Sequence, residues 1–196
     1  MFYSAMLVYM AVTMITPGPN NLTMMFLGSQ YGLKGTRKFL IASTICLFIK
    51  TLLCGFLNLG FASIMPSMIK YLKWLGAAYM VYLGWTMAKS GFQDEEKHSG
   101  AEQTESNYRS GIILQLLNMK SWVTCITLYA VYIIPHTAST VMIIGAAFAY
   151  TAFMIASSLC WGGFGSAMRK FVAKYRKPFG IVMGLSLLYC AVTAVI

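Results

Sequence analysis

Carboxylates are almost missing from this sequence: 5 Asp and Glu stand among 196 residues, and charged residues of both signs make up only 10%. A soluble domain of this length carries roughly a quarter charged residues. A single water-soluble core cannot hide a chain that is 58% hydrophobic with a mean hydropathy of +0.67. A soluble globular protein is excluded, and an integral membrane protein is expected.

Other absences narrow the reading. Residues 1–33 hold no Lys or Arg, so the positive start of a cleavable signal is missing and the first apolar segment is expected to stay as a span. Cys46, Cys54, Cys125, Cys160 and Cys190 show no C-x-x-C spacing and no neighbouring His, which leaves a metal site without support. No Walker sequence is present, so the chain is not expected to hydrolyse ATP. The 15 Lys and Arg are separated by long uncharged runs instead of sharing one solvated face, so nucleic acid is not an expected partner. Neither an enzyme nor a bound cofactor is expected.

What is present is apolar length. A helical span needs about 20 predominantly apolar residues, and six stretches qualify: 3–27, 39–64, 69–88, 111–133, 138–165 and 178–196. The expected fold is an all-α polytopic membrane protein with six transmembrane helices, its partner the lipid bilayer. Basic residues gather after span one (Lys34, Arg37, Lys38), span three (Lys89, Lys97, Arg109) and span five (Arg169, Lys170, Lys174, Arg176, Lys177). The opposite side has only Lys70 and Lys73. The positive-inside rule then puts both termini outside the cytoplasm.

All five carboxylates (Asp94, Glu95, Glu96, Glu102, Glu105) fall in one polar connection. That linker, residues 91–110, divides a single membrane domain of residues 1–196 into halves 1–90 and 111–196, with three spans in each. An odd number of spans per half inverts the second half relative to the first. Secondary transporters often use such inverted repeats and place their site where discontinuous helices meet.

Span one has such a discontinuity at Thr16-Pro17-Gly18-Pro19-Asn20-Asn21. Proline lacks an amide hydrogen and clashes with the carbonyl four residues back. Pro17 and Pro19 are therefore expected to free the carbonyls of Thr13 and Ile15, and Gly18 to permit an unwound backbone. Asn20 or Asn21 is expected to cap the resuming half-helix. A zwitterion suits the break, with its carboxylate on the helix N-terminus and its ammonium on the freed carbonyls. The matching place in span four is Asn118-Met119-Lys120.

Lys50 and Lys120 lie within spans, where a lysine costs about 2.5–3.5 kcal/mol and marks a functional position by default. No span contains a carboxylate. Their counter-groups are a bound carboxylate or backbone carbonyls, unless the amine stands neutral. Proton relays built on carboxylates are excluded, so coupled protons would travel through a lysine or water. Gly180 and Gly184 form a GxxxG pattern that packs span six against another helix, of this chain or of a second copy in a homodimer. Trp161-Gly162-Gly163-Phe164-Gly165 would hinge or end span five.

The Thr16–Asn20 break, the run Lys73-Trp74-Leu75-Gly76-Ala77-Ala78-Tyr79 before Tyr82-Leu83-Gly84, and Gln115-x-x-Asn118-x-Lys120 resemble the LysE (lysine and homoserine/threonine exporter) family over nearly the whole chain. The resemblance implies a multi-pass exporter of amino acids or their derivatives in the bacterial cytoplasmic membrane, driven by proton antiport without ATP. Many members have proline where this sequence has Met119, so the break in span four is expected to weaken toward a polar insertion in a continuous helix. Met119, Asn20-Asn21, Pro135 with Thr137, Cys160-Trp161 and Tyr189-Cys190 look most like the cysteine/O-acetylserine exporter branch.

The expected substrate-binding residues are Pro17, Gly18, Pro19, Asn20, Asn21, Asn118, Lys120 and Lys50, around which the halves rock. Two other classes remain. A transmembrane thiol–disulfide carrier needs paired cysteines, and Cys46 with Cys54 offers no close pair. A non-transporting scaffold would have no use for the costly lysines.

Overall fold

Hydrocarbon offers no water to backbone N–H and C=O groups, so an apolar chain must satisfy them within helices. Every regular element among the described residues is helical. The structure, a computed structural model, describes residues 2–60, 65–92, 108–137 and 139–195. All five carboxylates of the linker lie outside the described residues.

The elements run α1 (Phe2–Ile15), α2 (Pro19–Gly35), α3 (Arg37–Gly60), α4 (Met65–Ser90), α5 (Tyr108–Leu117) and α6 (Met119–Thr127), which continues into a π-helical turn (Leu128–Ile133). They end with α7 (Thr140–Ala167), α8 (Arg169–Lys174) and α9 (Arg176–Val195). Among the described residues three helices are long and apolar enough to cross a membrane, namely α3, α7 and α9. The bent pair formed by α5 with α6 and its π turn is a fourth if taken as one span. The first expected stretch is divided between α1 and α2, and α4 covers the third with 26 residues.

Lipid tails are as apolar as leucine, so helices in a bilayer associate by close packing more than by the hydrophobic effect. On α3, Ile41, Ile45, Ile49, Leu53 and Phe56 recur at helical spacing and stay exposed, while Ser43, Leu47, Lys50 and Cys54 point inward. The polar α2 is enclosed, burying Pro19 to Met24 and Phe26 to Ser29. It packs chiefly on α7, as α4 packs on α9 and α3 on α5 and α7. Small residues make the closest crossings. A Cβ at Gly28 would strike the Gly162 carbonyl, and one at Gly165 the Met25 carbonyl.

The same packing places two features. Gly180 and Gly184 are buried against Met87 and Gly84 of α4, so the GxxxG pattern packs α9 on a helix of this chain. Trp161 to Gly165 does not end a helix, because α7 runs through it to Ala167.

Candidate functional site

At the first break α1 ends at Ile15 and α2 starts at Pro19. Proline is favoured at the first helical position, where its missing donor is not needed. This start leaves Gly18 as the N-cap and puts Asn20 and Asn21 inside the first turn, so neither asparagine caps the helix. Their amides reach elsewhere. Asn21 Nδ2 donates to the carbonyls of Met14 (2.7 Å) and Thr16 (3.1 Å), and Asn20 Nδ2 donates to Ser158 Oγ (3.1 Å).

Other donors complete the carbonyl end of α1. Ser157 Oγ donates to Met14 O at 2.7 Å and Trp161 Nε1 to Ile15 O at 3.2 Å. Lys120 Nζ donates to Thr16 O at 2.8 Å and, at the long limit of 3.5 Å, to Pro17 O. These side chains gather on Met14 to Pro17, so the Ile15 carbonyl, one of the two expected to be freed, is taken by Trp161 within the chain. Gly18 has φ −167° and ψ 175°, extended backbone open to any residue. Glycine stands there for space: a Cβ would lie 2.9 Å from Lys120 Cδ.

The second break is complete even without proline. Helix α5 stops at Leu117, Asn118 caps α6, and the two segments are bent by 59°. The Asn118 side chain accepts from Ser121 N at 3.4 Å. The exposed carbonyls of α5 find distant donors: Lys50 Nζ reaches Gln115 O at 2.7 Å, and Trp122 Nε1 reaches Leu116 O at 2.6 Å. The Lys50 ammonium also meets Ser121 Oγ and stands 5.2 Å from the centre of the Trp122 ring.

The two breaks face a chamber of about 30 Å³ lined by Gly18, Asn20, Asn21, Gln115, Asn118, Lys120 and Ser121, with Thr13, Thr124 and Leu47 among its other walls. Lys50 is not on that wall; it is 2% exposed and acts through Gln115 and Ser121 behind it. Both α2 and α6 begin at the chamber, bringing two positive helix ends and the Lys120 ammonium together. No carboxylate side chain occurs among the described residues to balance them. Such a lining attracts an anion.

Pro17, Gly18, Pro19, Asn118 and Lys120 also border a larger cavity of about 420 Å³, which extends past Lys73 of α4 to Tyr189, Cys190 and Thr193 of α9. Toward the other ends of the helices, near Thr86 and Ser110, a separate cavity measures about 10 Å³.

The sequence matches the LysE type translocator family over residues 5–196. The chain belongs to that family. It is a multi-pass membrane translocator by that membership and by its apolar helices. Curated relatives include the "Cysteine/O-acetylserine efflux protein" of Escherichia coli O139:H28 (strain E24377A / ETEC), 28% identical over 96% of this chain and 95% of the relative. Proteins of the same name from Escherichia coli strain K12 and Shigella sonnei strain Ss046 match at the same identity and coverage. No solved structure matches.

The translocator fold also corrects the reading of its cysteines. A close pair does exist: Cys54 of α3 and Cys125 of α6 lie thiol to thiol, both free and both fully buried. Thiol exchange needs an accessible thiolate, and this pair is packed in the core with Leu47, Leu128 and Tyr129. Gln115, Ser157, Ser158 and Trp161 entered the site without being expected there. For Gln115 the signal was its place three residues before Asn118.

Proposed function

We propose that this translocator exports amino acids or close derivatives, cysteine and O-acetylserine among them, from the cytoplasm across the bacterial inner membrane. The observation that carries this reading is the convergence of two helix N-termini and Lys120 on one polar chamber. That arrangement suits a carboxylate, the group shared by all amino acids. Lys120 is the movable member. Its ammonium is held among the described residues by carbonyls of the first break and is half-buried, so an arriving carboxylate can take it over. Pro17 and Pro19 keep the first break open, Gly18 gives Lys120 room, and Asn20, Asn21 and Asn118 supply polar walls. Lys50 holds the second break from behind. The efflux activity named for the relatives supports the direction and the substrate class.

In this reading α1 and α2 form one broken span and α5 with α6 another, at matching places in two inverted three-helix repeats, residues 1–90 and 111–196. The two termini lie outside the cytoplasm in this reading, so the 420 Å³ cavity opens outward. A chamber of about 30 Å³ has room for about one water. Loading an amino acid therefore requires the halves to rock apart, which is alternating access. Export runs on the proton gradient with no bound cofactor, and without a carboxylate in any span the proton passes through a lysine or water.

The test is mass-spectrometric profiling of amino acids outside cells that overexpress the wild type or Lys120→Ala at equal membrane abundance. Excess cysteine or O-acetylserine outside only the wild-type cells is expected. Equal excess outside both removes Lys120 from the site, and no excess outside either removes the export reading.

A further inference from the structure

We infer that Gln115 and Asn20 form the seat for the α-ammonium of the transported amino acid. This rests on the export reading and assigns the half of the substrate that Lys120 does not address.

Four buried side-chain polar atoms among the described residues have no hydrogen-bond partner: Asn20 Oδ1, Gln115 Oε1, Thr23 Oγ1 and Thr151 Oγ1. The threonine hydroxyls can donate as well as accept, and neither lines the chamber. The two amide oxygens can only accept, and both residues line it. Asn20 is 8% exposed and Gln115 1%. Buried acceptors normally have a donor, and a pair of them on one small chamber calls for a ligand that brings several N–H groups. Neither lysine near the chamber fills that role among the described residues. Lys50 is committed to Gln115 O and Ser121 Oγ, and Lys120 to Thr16 O and Pro17 O.

The orientation of Gln115 is fixed by its neighbours. Ser121 Oγ spends its single proton on the Asn118 carbonyl at 3.0 Å and accepts from the Lys50 ammonium. Gln115 can then meet Ser121 only as a donor, and its Nε2 does so at 3.4 Å. Turning the amide over would set two acceptors against each other. Oε1 is thereby left for the chamber. Lys50 is a positioning residue in this scheme: through Ser121 it determines which end of Gln115 a ligand meets.

A primary ammonium offers three donors to these two oxygens. An acid without an amino group offers none, and an N-acyl amide offers one together with an acceptor of its own. The seat therefore selects unblocked amino acids, with the carboxylate lying toward Lys120 and the two helix ends.

The experiment is exchange of labelled cysteine, kept reduced, by purified protein in proteoliposomes. Inhibition by 3-mercaptopropionate, which keeps the thiol and carboxylate but lacks the ammonium, is read alongside. Gln115→Met is expected to raise the KM for cysteine about tenfold, while inhibition by 3-mercaptopropionate changes by less than about twofold. Asn20→Leu, at the second acceptor, is expected to show the same unequal response. Equal weakening of both ligands in Gln115→Met, or a lowered maximal rate with an unchanged KM, overturns the seat and leaves the export reading standing. Wild-type protein that exchanges no cysteine overturns both.

Discussion

At Thr16–Gly18 the chain leaves the helix through Pro17 and Pro19, which can neither donate nor tolerate a carbonyl four residues back. At Asn118 it leaves the helix with no proline between Pro66 and Pro135. The carbonyl ends are nevertheless covered by the same pair of groups, a lysine ammonium and an indole N–H. Lys120 and Trp161 serve the first break, and Lys50 and Trp122 serve the second. A helix in a membrane can thus be interrupted by removing its own donors or by offering its carbonyls better ones from outside. The two routes differ in redundancy. Thr16 O keeps Asn21 Nδ2 if Lys120 leaves, whereas Lys50 is the one side chain donating to Gln115 O among the described residues.

That difference predicts a large contrast between the two lysines. Lys50→Ala empties a fully enclosed volume beside Trp122 and strips Gln115 O of its donor. Removing a buried ammonium relieves some desolvation cost, but the void and the orphaned carbonyl outweigh it, by about 3 kcal/mol. Lys120→Ala is half-buried and leaves Thr16 O paired, so its stability should stay within about 1 kcal/mol of wild type while export is lost. Thermal unfolding of both variants in detergent measures this. Equal losses would mean that the two lysines hold their breaks alike.

Apolar helices and the proline-marked end of α1 are legible because they are local: six consecutive residues contain everything that separates α1 from α2. The second break depends on Lys50, 65 residues from the carbonyl it serves, and on Trp122, 6 residues from its own. Met119 in a proline's place suggested continuity, because sequence shows which donor is kept and not which distant donor competes with it. Asn20 and Asn21 do not cap α2 for a related reason. Asparagine is a good cap, but Pro19 takes the first helical position and moves both one step inside. The polarity of Gln115 was beyond reach, since it follows from where the proton of Ser121 points. Cys54 and Cys125 meet only because α3 packs on α6.

A smaller effect sharpens the role of the movable lysine. The backbone at Gly18 is open to alanine, so Gly18→Ala meets no conformational strain. Its Cβ would lie 2.9 Å from Lys120 Cδ and 3.2 Å from Nζ, and the flexible lysine must yield. Displacing that ammonium from Thr16 O should lower export about tenfold, equivalent to about 1.4 kcal/mol, with unfolding temperature and membrane abundance unchanged. Normal export by Gly18→Ala would show that Lys120 works without its place on the first break.

The smallest effect on export is expected where the second break is given the signal it lacks. Met119 occupies the first position of α6, where proline is tolerated because that amide needs no helical partner. Proline also pushes the residue before it toward extended backbone, and Asn118 is already there, with φ −76° and ψ 96°. Met119→Pro should therefore gain about 0.4–1 kcal/mol by restricting the unfolded chain. The methionine is 4% exposed and packs in the core with Trp122 and Leu128, so losing its side chain costs about 2 kcal/mol. The net loss of stability should be about 1–2 kcal/mol, and export should stay within about twofold, as read by detergent unfolding and extracellular profiling. Unfolding of Met119→Pro would separate the two breaks as different structures. A folded variant that still exports would make them one backbone design reached by two chemistries, with Lys50 and Trp122 accomplishing at Asn118 what proline does at Pro17.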